Sequence, residues 1–190
     1  MWAACSLILA GSASAPSNRA APNSGRIPLC KNEITINAPS DFVYPYISDG
    51  DKIGRWSRDD RLTISFPRGT AARIGMQIRF VIQLPTNPAW MVEIQKLEAG
   101  REMQTAIIDG IFRGSISFFL EPLDKNTTKL IHEAEIIPQG SFMQFAWKTI
   151  GREIHRKKMD EIMTKIKDLV ETEWKQQTRA NRNNRRKADV

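Results

Sequence analysis

The sequence predicts an α+β domain. A curved antiparallel sheet of six to seven strands wraps a long C-terminal α-helix, and two short helices follow the first strand. Three observations predict it. Apolar and polar residues alternate in successive short segments between Arg61 and Ile136, which is the period of half-buried strands. The connections between those segments are short and rich in turn residues. From Ser141 to about Trp174 the apolar residues recur at spacings of three and four, the signature of one amphipathic helix of about nine turns.

Each element has its own local reason. Lys31–Asn37 alternates and forms the first strand. Pro39-Ser40-Asp41 resets the chain, with Ser40 a suitable N-cap and Asp41 suited to the positive end of a helix. Phe42, Val43, Tyr46 and Ile47 follow at helical spacing, and Pro45 keeps that helix short or bent. Asp49-Gly50-Asp51 interrupts it before a second short helix or turn carrying Ile53 and Trp56. Arg61–Phe66 alternates up to the Pro67-Arg68-Gly69 turn. The next strands place Met76, Ile78, Phe80, Ile82 and Leu84 on one face, then Trp90, Val92 and Ile94, then Met103, Thr105 and Ile107. The last two place Gly114, Ile116, Phe118 and Leu120, then Thr128, Leu130, His132, Ala134 and Ile136. Turns fall at Thr86-Asn87-Pro88, Ala99-Gly100, Asp109-Gly110 and Asp124-Lys125-Asn126, giving a meander. In the long helix, Gly151 marks a weak point where a bend is permitted.

Composition bounds the possibilities. Of 190 residues 41% are apolar, and the formal charge is +7. That charge sits at the ends. Residues 1–26 hold two bases and no acid, and residues 175–190 hold six bases and one acid. The stretch 27–174 keeps 20 of the 28 bases and 20 of the 21 acids, so a folded body of this span is neutral and gives no footprint for specific nucleic-acid binding. Two cysteines, Cys5 and Cys30, exclude a disulfide framework, and two histidines exclude a histidine-based metal cluster unless carboxylates assist. No apolar run approaches the roughly 18 residues of a spanning helix. No phosphate loop, nucleophile elbow or zinc motif is present, so no cofactor and no metal are expected. Residues 1–28 form an acid-free leader rich in Ala, Ser, Pro and Asn with a short apolar run at Trp2–Ala10, compatible with organellar or secretory targeting or with an inert cytoplasmic N-terminus. The domain spans 29–174, and 175–190 reads as a basic disordered tail open to weak contact with acidic membrane lipids.

A twisted sheet curls, and a straight helix across it leaves space between them. Cavities of this kind are lined by apolar residues with a few placed polar groups. The expected wall is Ile78, Phe80, Ile82, Trp90, Val92, Met103, Thr105, Ile107, Ile116 and Phe118 from the strands, with Trp56 from the second short helix. His132 shares the inner face, and Phe145, Ile150 and Ile154 are expected to point inward from the long helix. His132 is the one histidine on a strand, able to orient a ligand or exchange a proton, although most such histidines are satisfied core residues. Asp109 ends its strand at the expected mouth, where it is either a general base or the start of an Asp-Gly turn. Arg79, Glu93 and Arg113 fall on the wet face unless the register is slipped by one, and Arg152, Arg156, Lys157 and Lys158 on the wet face of the helix.

The opening Glu33-Ile34-Thr35-Ile36-Asn37-Ala38-Pro39-Ser40-Asp41-Phe42-Val43, then Ile47-Ser48-Asp49 and Trp56, resembles the start of the polyketide cyclase/dehydrase and lipid-transport (SRPBCC, START-like) superfamily. Leu120-Glu121-Pro122, Asn126–Leu130 and the closing helix are similar to it as well, so the likeness covers about residues 30–173. It implies a helix-grip fold with an internal hydrophobic cavity. It further implies binding or transport of a small hydrophobic ligand, a lipid, polyketide or isoprenoid-like molecule. Cyclase or aromatase-like chemistry, with His132 or Asp109 as the protonic group, is the alternative, and a membrane-associated module using the basic tail is a third.

Overall fold

The computed structural model describes residues 30–58, 61–83 and 85–188. The expected leader lies outside the described residues, and so does Leu84. Seven strands form one antiparallel sheet: β1 (Cys30–Ile36), β2 (Leu62–Ser65), β3 (Gln77–Ile82), β4 (Ala89–Glu98), β5 (Glu102–Gly110), β6 (Phe112–Asp124) and β7 (Thr127–Pro138). Their order is β1-β7-β6-β5-β4-β3-β2. Strands β2 to β7 are therefore a meander, and β1 closes onto the last of them. The helices α1 (Ser40–Ser48) and α2 (Gly50–Trp56) carry the chain from one edge of the sheet to the other. After β7 come α3 (Ser141–Ala146), a π-helical turn (Trp147–Gly151) and α4 (Arg152–Ala188).

The alternation in sequence becomes rows of side chains. Asn32, His132, Phe118 and Met103 lie side by side across β1, β7, β6 and β5. Ala134, Ile116, Thr105 and Ile94 form the next row, and Phe80 pairs with Trp90 toward the far edge. Irregularities in register between Met91 and Val92 and between Ile94 and Lys96 bend the β4–β5 pair, as extra residues in one strand do. Arg79 and Arg113 are exposed, and Glu93 accepts a hydrogen bond from Gln77 Nε2 at 2.9 Å, so the wet face is the one the sequence indicates.

Helix α4 docks through Met159, Ile162, Met163, Ile166 and Val170, all buried against the inner face and the short helices. Side chains of this size contribute about 1.5 to 3 kcal/mol each on full burial. Polar contacts fix the docking at its edges. Lys167 Nζ donates to Thr35 O at 2.6 Å, and Glu171 accepts from Asn37 N and Nδ2, both at 2.9 Å. Glu173 receives Tyr46 Oη, Arg55 and, at 3.1 Å, Lys52 Nζ. Two local expectations are corrected. The first helix has no side-chain cap from Ser40; the capping residue of the pair is Asp49, which accepts from Asp51 N at 2.9 Å and Lys52 N at 3.2 Å and so starts α2. The basic segment after Trp174, expected to be disordered, continues α4 to Ala188, because no Gly or Pro follows Gly151 and Gln, Arg, Lys and Ala are good helix formers.

Candidate functional site

The site is built where α3, the π-turn and the start of α4 cross the inner face. In the π-turn the Arg152 N–H donates to Trp147 O, five residues back instead of four. Such widened turns are rare and recur at functional sites. A bare Gly151 permits it: a Cβ there would stand 2.8 Å from Trp147 Cε3. The turn seats the Trp147 indole under the helix, 8% exposed. One helical turn beyond Gly151, His155 faces the same space.

An aromatic row runs from the far edge of the sheet to these residues. Phe80 stacks on Trp90 with ring centroids 5.0 Å apart and planes 8° from parallel. Trp90 meets Phe112 at 5.4 Å, and Phe112 meets Trp147 at 5.6 Å. Trp147 meets His155 at 5.6 Å, His155 meets His132 at 5.6 Å, and His132 meets Phe118 at 5.1 Å. The row is apolar from Phe80 to Phe112 and polar at Trp147, His155 and His132, with Phe118 beyond them.

The polar end has unusual chemistry. His132 Nδ1, His155 Nδ1, Trp147 Nε1, Arg152 Nε and Asn32 Oδ1 are enclosed yet have no hydrogen-bond partner among the described residues. Asn32 is next to His132 in the β1–β7 pairing, and its Nδ2 donates to Arg156 O at 3.1 Å and Asp160 Oδ1 at 2.7 Å. An orphaned buried polar atom costs about 1 to 3 kcal/mol, so a cluster of them is far from what a finished core contains. Burial drives the His132 imidazole down to about 3, with the neighbouring His155 pushing the same way, and burial takes His155 down to about 4. Both rings are neutral at physiological pH. Each offers one donor and one acceptor nitrogen.

Further along the inner face, Ile116 is only half-buried although its row neighbours Thr105 and Ala134 are fully covered. Ile116 is thus the least covered side chain of its row.

The residues singled out from sequence fall into three groups. Ile78, Val92, Met103, Thr105, Ile107, Phe118 and His132 are buried on the inner face, and Phe80, Ile82, Trp90 and Ile116 are half-buried there. Thr105 has spent its donor on Ile116 O at 2.8 Å, so its hydroxyl is tied to the sheet. Trp56 is buried at the end of α2, where its Nε1 donates to Tyr46 O of α1 at 2.7 Å.

Phe145, Ile150 and Ile154 are corrections. They are 70%, 58% and 61% exposed, and with Phe142 at 79% they form an apolar outer surface. At this end of the helix the polar residues Arg152 and His155 turn inward and the apolar ones outward, the reverse of the usual amphipathic rule. Asp109 is corrected as well: Met91 pairs with Asp109 and Val92 with Ile107, so Ile108 is an extra bulge residue and Asp109 ends exposed. Arg152 is a third correction. It is half-buried with Nε enclosed and does not belong to the wet face. Trp147, His155, Arg152 and Asn32 were therefore missing from the expected site.

No family model matches the sequence, and no curated protein matches it. Solved structures do match. A Thermus thermophilus protein superposes with a TM-score of 0.62 at 13% identity, over 75% of this chain and 97% of its own. The Aha1 dimer of Colwellia psychrerythraea gives 0.56 at 19%, over 76% and 97%. A START superfamily protein of Mycobacterium smegmatis gives 0.56 at 11%, over 76% and 97%. Identities this low speak for the fold alone, and they agree with the sheet order, the two short helices after β1 and the long closing helix: the chain has the START-like helix-grip fold.

Proposed function

We propose that the protein binds a small, largely apolar molecule between the sheet and the segment 141–155, with the molecule's one polar end at His132, His155 and Trp147. The observation that carries this reading is the group of enclosed polar atoms without partners, gathered toward one end of an aromatic row. Ligand sites combine predominantly apolar walls with a few convergent polar groups, and this arrangement has both. Apolar contact supplies the affinity, at about 25 cal/mol per Å² buried. The neutral imidazoles and the indole N–H set orientation. The START superfamily neighbour supports a ligand-binding role at the level of fold.

The test is direct. Protein mixed with a cell lipid extract and analysed by native mass spectrometry is expected to retain one small molecule per chain. A neutral apolar fluorophore, N-phenyl-1-naphthylamine, is expected to bind saturably. Ile116→Trp adds bulk to the inner face and should abolish both signals while the protein stays folded by circular dichroism. Bare protein in the spectrum together with non-saturable fluorophore uptake overturns the reading.

A further inference from the structure

We infer that the bound molecule is an apolar acid, whose carboxylate is held by Arg152 with His132, His155 and Trp147 around it. This rests on the ligand-binding reading above and adds the chemical class to it.

Indole Nε1 and guanidinium Nε can only donate. Each histidine Nδ1 donates in one of the two neutral tautomers. The cluster therefore holds four potential N–H donors beside the one acceptor Asn32 Oδ1, and an ionised carboxylate answers them with about four acceptor positions across two oxygens.

Arg152 has no carboxylate partner among the described residues. The acids of the adjoining helical turns are committed elsewhere. Glu153, the next residue, binds Arg156 at 2.7 Å and Lys157 at 3.5 Å. Asp160 binds Arg156 at 3.1 Å and Asn32 at 2.7 Å. The positive charge of Arg152 reaches as far as the Cys30 thiol on β1, where it counteracts part of the effect of burial. A half-buried guanidinium with an enclosed, unpartnered nitrogen, three residues before His155 and so on the same side of α4, offers a positive group to an anion bound there.

Other head groups fit this set less well. An amine head would meet Arg152 with like charge. A metal ion finds no group of three or more His, Cys, Asp or Glu side chains among the described residues. A neutral alcohol leaves the Arg152 charge unanswered. The apolar body of the molecule lies along Phe112, Trp90 and Phe80, which continue the row away from Trp147.

Two matched probe sets test the inference: dodecanoic acid, dodecanol and dodecylamine, and 2-naphthoic acid with its alcohol and amine counterparts. Each competes with N-phenyl-1-naphthylamine at pH 7.5 on the full chain. In at least one set the acid is expected to bind tenfold or more tighter than the alcohol, with the amine weakest. Arg152→Gln should erase the acid preference by lowering the acid's affinity at least tenfold, to about that of the alcohol, while Arg152→Lys keeps part of the preference because the charge remains. Equal binding of acid and alcohol to the native chain, or an acid preference that survives Arg152→Gln, overturns the acid and leaves the ligand-binding reading standing. Failure of the fluorophore and of every probe to bind overturns both.

Discussion

His132 and His155 make the sharpest prediction at the scale of single residues. Unfolded, each takes up a proton near its ordinary value of 6.5; folded, burial holds them near 3 and 4. Below pH 6.5 the unfolded chain binds more protons than the folded one, so acid favours unfolding. Stability is complete above about 6.5 and falls by roughly 1 kcal/mol per pH unit for each histidine as the pH drops toward about 4. Urea titrations at pH 7.0, 6.0 and 5.0 measure the slope, and His155→Gln should about halve it. A flat profile over that range shows that the rings are not held neutral by burial. Glu173 adds a lower window. Burial pulls its carboxyl up, but hydrogen bonds from Tyr46, Lys52 and Arg55 outweigh that and take it down to about 2. Its contribution is complete above the ordinary value of 4.5 and is lost as pH falls through the folded one. Glu173→Ala leaves the buried Tyr46 hydroxyl without its acceptor and should cost about 1 to 3 kcal/mol at pH 7, read as a shift in the urea midpoint at constant slope.

Among the elements, the π-turn decides the helix. In an ordinary exposed helix Gly→Ala gains about 1 kcal/mol. At Gly151 the sign should reverse, because the new methyl group meets the Trp147 ring at 2.8 Å. Crowding of that kind costs about 1 to 3 kcal/mol. Thermal unfolding of Gly151→Ala, with Trp147 fluorescence as the second readout, checks both parts; a gain in stability would show that the turn relaxes to α-helix at no cost. The same element explains what the sequence could and could not disclose. The strands were legible because alternation with a period of two is a direct imprint of one buried face, and His132 took its place by counting from Leu130. The inner wall of the sheet was legible for the same reason. The helix end was not. Reading apolar as inward puts Phe145, Ile150 and Ile154 inside, yet a ligand site needs polar groups there, and a five-residue turn alters the count. The one available signal was Gly151 four residues after Trp147 and four before His155, which is a signal of shape and not of polarity. Asp109 was misplaced for a similar reason, since one extra residue at Ile108 inverts everything after it.

For the molecule as a whole, the two ends of α4 differ in character. From Met159 to Trp174 its inner side is sealed against β1, α1 and α2. From Ser141 to Ile154 the closing helical segment carries Phe142, Phe145, Ile150 and Ile154 to solvent, a larger apolar surface than scattered single residues make. Phe145→Asp should therefore change stability by less than about 0.5 kcal/mol, the usual range for exposed positions, while raising the salt concentration at which the protein precipitates. A loss of several kcal/mol would place that ring in the core. The grip at the other end has a temporal consequence. Tyr46 and Lys52 meet Glu173 across 127 and 121 residues of chain. During synthesis the first strand and short helices must wait until nearly all of the domain has left the ribosome before their partner arrives. Contacts of such long sequence separation close late and slowly. Until then the concave face stands open, so the nascent chain is most prone to stick to others in the interval just before residue 173 emerges.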